Sequence, residues 1–245
     1  MSEQLSQLQR LCTETWDAFK AKSEFFKLVQ DGLCDRRLYA LLLIQTYHYT
    51  RHNAINQAMV CQNPKINDFN YMKYCLDHAQ EEVGHEMMAF HDLKHAGFAV
   101  ESPSVLPKPS LETDIFVAYV YYISQTGNPV QRLGYSFWAE DAYDHIMPTL
   151  QIAAQNMKLK KSAMTFFIDH AAIDQKHSED VHKQILRVCK TQDDWDAVKT
   201  AMLGTLTLTH RLLEGIARDY SLLVQGKLPH HEFLGSETSF AEVVS

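Results

Sequence analysis

Hydrophobic residues return along this chain every three or four positions, and no convincing stretch alternates as a strand would. Leu5, Leu8, Leu11, Trp16, Phe19, Phe25 and Phe26 keep that spacing through the first segment, which therefore reads as helix until Asp31-Gly32 breaks it. Asp35 caps a second helix that runs to about Cys61 and closes at Asn63-Pro64. A third spans from near Asn67 to Gly97, a left-handed stop. Pro103, Pro107 and Pro109 make residues 98–110 an extended loop. A fourth helix covers about 111–125. Asn128-Pro129 then supplies an N-cap with proline at the first helical position for a fifth, which reaches about Asn156 and carries Pro148 inside it. A sixth covers about 161–189, and Thr191-x-x-Asp194, a capping-box pattern, opens a seventh to about Tyr220. The pattern predicts an all-α bundle of about seven helices forming a single domain over residues 1–245, with its core in about 5–221 and a loosely docked tail over 222–245.

Composition narrows the partners. A net charge of −7 with no local basic stretch argues against a nucleic-acid backbone. Met1-Ser-Glu-Gln-Leu-Ser-Gln has neither the basic nor the apolar region of a secretory signal, and apolar runs such as Phe116 to Ile123 are far shorter than a membrane span. The five cysteines form no Cys-x-x-Cys pair, which fits reduced, mostly buried thiols in a cytoplasmic protein. A homodimer is the default assembly.

Candidate chemistry lies on three of the predicted helices. His170, Asp174 and His177 fall on one face of the sixth, and Val181 continues that face, so polar groups interrupt a stripe that should be buried. The third holds His78-Ala-Gln-Glu81-Glu82-Val-Gly84-His85. Glu82 and His85 are three apart, Glu81 is a geometric competitor, and His78 sits two turns up the face of His85. A glycine inside a helix costs about 1 kcal/mol, so Gly84 suggests close approach or access there. Glu140 on the fifth lies among Tyr135, Phe137 and Trp138, with Asp141 and Asp144 expected to face solvent. Together Glu82, His85, Glu140, His170, Asp174 and His177 offer three carboxylates and three imidazoles, a set suited to iron or manganese. Two metals bridged by a carboxylate would use all six, and one metal would use three or four. The second helix adds Gln45, His48 and His52 on one face and no acid. His48 is a candidate ligand, and Gln45, His52, Tyr122, Gly134 and Trp138 are candidates for a substrate pocket.

His78-Ala-Gln-Glu-Glu-Val-Gly-His85, the isolated Glu140 and His170-x-x-x-Asp174-x-x-His177 resemble the haem-oxygenase-like diiron oxidases, whose fold is shared by TENA/THI-4 and PqqC-like proteins. The resemblance spans about residues 40 to 185. It implies a haem-oxygenase-like bundle in which Glu82, His85, Glu140, His170, Asp174 and His177 bind one or two irons, activate O2 and oxidise a small molecule such as an amino acid or fatty acid derivative. Many members place a carboxylate on the helix matching the second one here, where His48 is the best-placed substitute. Two alternatives stay open: a metal-independent TENA- or PqqC-like enzyme acting on a heterocyclic small molecule, and a non-catalytic helical protein whose polar trio is a buried hydrogen-bond network.

Overall fold

The computed structural model describes residues 3–235; the side chains of residues 143, 144 and 169–176, among them His170 and Asp174, lie outside the described residues. Ten α-helices and no strand are found there: α1 (Glu3–Lys20), α2 (Glu24–Gln30), α3 (Arg36–Thr50), α4 (Asn53–Met59), α5 (Phe69–Glu81), α6 (Glu86–His95), α7 (Leu111–Gln125), α8 (Leu133–Asn156), α9 (Thr165–Val188) and α10 (Gln192–Val224). The difference from seven has one cause repeated three times, since each of the first three expected helices is two. Ser23 caps α2 by accepting from the Phe26 amide, Arg51-His52 forms a turn between α3 and α4, and residues 82–85 separate α5 from α6. The hydrophobic period passes through these breaks undisturbed, so it cannot report them.

The caps legible in the sequence form as expected. The Asp35 carboxylate accepts from the Arg37 amide, and Thr191 and Asp194 make a complete capping box at α10. Asn128 caps the short 3-10 turn that leads into α8, and its side chain also donates to Asp194 at 2.7 Å. One cap is supplied from elsewhere in the chain. No side chain of its own caps α9; instead the fully buried Asp92 of α6 accepts from the Thr165 and Phe166 amides and the Thr165 hydroxyl at 2.7–2.9 Å. Further along, Asp68 caps α5 and binds Arg187 of α9 at 2.7 Å. The segments α5–α6 and α9 are thus pinned to each other at both ends.

Helix α10 packs along α8, α7 and α3, while α9 packs on α8. Gly134, expected to open space for a ligand, is instead a point of helix contact. A Cβ there would stand 2.1 Å from the Val198 carbonyl oxygen and 2.7 Å from the Met202 nitrogen of α10. Replacing Gly134 with alanine should therefore lower stability by about 2–3 kcal/mol, read as a fall in the denaturant midpoint, because backbone must move to admit the methyl group. The core runs without interruption from Leu5 to Leu234, the latter seating the end of the described chain. Among the described residues no helix is long and apolar enough to cross a membrane.

Candidate metal centre

The α5–α6 break forms one wall of the site. Gly84 adopts φ +93° in a turn open to solvent, a conformation that side chains rarely accept. The glycine thus ends a helix rather than interrupting one. The turn leaves Val83 exposed and directs Glu82 inward, with His85 Nδ1 3.4 Å from Glu82 Oε1.

Three buried groups converge. His78, Glu82 and His177 each present one ligand atom within 4.8 Å of the other two. Glu140 of α8 joins them, its carboxylate 3.4 Å from His78 Nε2 and 3.6 Å from His177 Nδ1. Burial pushes the Glu140 carboxyl up, but the hydrogen bonds and charge of His177 and His78 outweigh it and hold the group below the ordinary carboxylate range. Glu82 is balanced likewise: burial raises it, His85 and His78 lower it, and the net shift is downward. His177 moves the other way, raised to about 9 by its hydrogen bond to Glu140 against the opposing effect of burial.

Glu81, the geometric competitor, has a separate place. Half-exposed, it lies with Oε2 2.9 Å from His177 Nε2. With the Nε2 proton donated to Glu81, Nδ1 is the atom left facing Glu82 and Glu140. His78 was missed as a member of this cluster by sequence reasoning. Its signal is His-x-x-x-Glu, one helical turn before Glu82, which puts both side chains on one face of α5.

The expected residues of α3 and of the turn after it go elsewhere. His48 Nε2 lies 2.7 Å from the Pro107 carbonyl oxygen, Gln45 accepts from the Ser110 amide and the Thr113 hydroxyl, and His52 Nδ1 lies 3.0 Å from the Tyr121 hydroxyl. This face fastens the proline-rich loop and α7, and no carboxylate is needed because its partners are carbonyls and hydroxyls. Tyr122 is 61% exposed and is not among the described residues that line the aromatic cavity. Asp141, expected in solvent, binds Ser178 and His182 across to α9.

The centre opens on two sides. Towards α9's surface lies a polar groove lined by Lys73, Asp77, Glu81, His78, His177 and Asp180. Inward lies a cavity of about 160 Å³ that shares Glu82 and Glu140 and is walled by Trp138 and other aromatic side chains.

The donor set fits a transition metal. His78 Nδ1 is buried without a hydrogen-bond partner among the described residues, and Nε2 has only the Glu140 carboxylate at a long 3.4 Å, a costly arrangement unless a ligand completes it. Two imidazoles and two carboxylates are the mixed nitrogen and oxygen donors that iron, manganese or zinc accept.

No known protein-family profile and no curated protein matches the chain. Among solved structures it is similar to a domain of unknown function with a haem oxygenase-like fold from Shewanella denitrificans, at 41% identity over 93% of this chain and 97% of that one, with a TM-score of 0.88. A TenA homologue from Pseudomonas syringae (12% identity, 88% of this chain and 93% of that one, TM-score 0.69) and another from P. horikoshii (13%, 88% and 98%, 0.69) share the fold. Ten helices without a strand, a near-complete overlay and 41% identity to the Shewanella domain together place this chain in that domain's family of haem oxygenase-like helical proteins.

Proposed function

We propose that the protein is an oxygen-activating non-haem iron oxidoreductase acting on a small molecule held in the aromatic cavity. The observation that carries this reading is the convergence of buried His78, Glu82 and His177, with Glu140 against them, at the edge of an apolar chamber. His78, Glu82, Glu140 and His177 would hold the metal, with His85 adjoining through Glu82; His170 and Asp174 remain expected ligands. Iron bound there would supply the electrons that activate dioxygen. The chain's own part is to orient and exclude: Glu81 sets the His177 ring, the two glutamates offset the cation's charge, and the aromatic walls keep water from the reacting molecule.

A metal-independent enzyme of the TENA type working through a cysteine nucleophile would need a poised thiol. Burial pushes Cys12, Cys75 and Cys189 up to about 12 and Cys34 up to about 11, and none of the five cysteines lines the cavity.

Anaerobic reconstitution with Fe²⁺ tests the proposal. About one or two irons per chain should bind, raise the melting temperature, and accelerate oxygen uptake once air is admitted. A protein whose melting temperature ignores Fe²⁺, Mn²⁺ and chelator alike is not this enzyme.

A further inference from the structure

Beyond its first turn, helix α7 carries no charge on any side, yet only part of it is covered. From Ile115 to Gln131 the chain has no charged residue. Thr113, Phe116, Val120 and Ile123 are buried where α10, α4 and α3 pack on the helix. On the opposite side Leu111, Ile115 and Tyr122 are 70%, 45% and 61% exposed, and Ala118 between them is exposed as well. A helix that is hydrophobic all round is ordinarily buried all round, so this outer face calls for a cover.

The spacing says which cover fits. Leu111, Ile115, Ala118 and Tyr122 follow one another at intervals of four, three and four, the spacing along which helices pair side by side. That series of intervals is the same in both directions. Turned about a two-fold axis at its centre, between Phe116 and Val117, and laid antiparallel on its own copy, the seam meets itself. Leu111 then lies against Tyr122 of the second copy, and Ile115 against the small Ala118. Charge selects the same orientation. Asp114 is the one charged residue of α7 that is exposed; Glu112 is held by Arg218. A parallel pair would set the two Asp114 carboxylates side by side. The antiparallel pair sends each to the tyrosine end of the other helix and opposes the two helix dipoles.

We infer that the protein pairs with a second copy of itself through an antiparallel, two-fold contact of α7 on α7. Four side chains of one helix make a contact smaller than the roughly 800 Å² per partner of a standard interface, so the pair should separate on dilution, with a dissociation constant of about micromolar size. None of the four residues is among those lining the cavity or the groove of the metal centre, so pairing and metal binding are independent.

Sedimentation velocity on the full chain across a dilution series, with and without Zn²⁺, tests the inference. The protein should pass from dimer to monomer on dilution in both conditions. Ala118→Arg keeps a good helix former at an exposed position, so the melting temperature of the monomer should hold. The dissociation constant should rise about a hundredfold or more, because each copy would bury an unpaired guanidinium against Ile115 of the other. Paired cysteines fix the orientation. Leu111 and Tyr122 stand about 16 Å apart along one helix, too far for an internal disulfide. Leu111→Cys with Tyr122→Cys should therefore give a covalent dimer on mild oxidation, while either substitution alone gives no more than the wild type. A chain that stays monomeric at about 100 μM, its outer face then left to residues 236–245 or to a different protein, overturns the inference. So does a dimer indifferent to Ala118→Arg, or a covalent dimer formed by either cysteine alone.

Discussion

Replacing His78 with alanine should weaken Zn²⁺ or Fe²⁺ binding by about a hundredfold or more, an effect of the size expected when a metal loses one of few protein ligands. The imidazole is 5% exposed, faces Glu82, Glu140 and His177, and has no hydrogen-bond partner at Nδ1 among the described residues. Without it Glu82 and Glu140 oppose each other with one cation-binding group fewer. His48→Ala supplies the contrast. That histidine is spent on the Pro107 carbonyl, so its loss should reduce stability by about 1–3 kcal/mol and leave metal affinity as it was. Isothermal titration of both variants decides the matter, and a wild-type affinity in His78→Ala would remove this histidine from the centre.

Metal affinity should also climb steeply with pH, by about tenfold per unit and about a hundredfold between pH 6.5 and 8.5, because a metal must displace a proton from His177. That imidazole is raised from 6.5 to about 9, first by its hydrogen bond to Glu140, so it is protonated through this range. Glu82 and Glu140, held below the ordinary carboxylate range, are ionised throughout and add no steepness. The metal-free protein obeys the opposite sign. His177, with its raised value, stabilises the fold fully below 6.5 and loses that contribution as pH rises through about 9. Glu140, with its lowered value, stabilises above 4.5 and loses its contribution as the pH falls below that. The metal-free fold should thus be firmest between about 4.5 and 6.5, the range where metal binds worst. Chelator competition at three pH values, with melting curves of the metal-free form, checks both trends, and an affinity flat in pH would show His177 unprotonated or uninvolved.

Much of this architecture is legible before any coordinates. The caps at Asp35, Asn128 and Thr191 are local chemistry and form where the residue types say they should. The turns at Ser23, Arg51-His52 and Gly84 escape because apolar spacing continues across them, and the cost of a glycine inside a helix is met at Gly84 by the helix stopping there. Glu82, Glu140 and His177, expected from spacing and from apolar surroundings, are brought together by the fold. His78 is missed because attention to the Glu82-x-x-His85 pair hides the His78-x-x-x-Glu82 pair that shares its glutamate. The face of α3 is the instructive case. That helix is buried nearly all round, so periodicity cannot say which polar residues look inward; the conspicuous Gln45 and His48 hold a loop and the start of α7, while the inconspicuous Thr46 and Thr50 lie along the cavity.

Gly134 sits six residues before Glu140 on the same rigid rod, resting against the Val198 carbonyl of its neighbour. A groove that admits only a bare backbone works as a detent: it indexes α8 lengthwise, since sliding by one turn would thrust a side chain into that slot. The carboxylate Glu140 brings to the imidazoles is therefore set in depth by a residue that has no side chain and touches none of them.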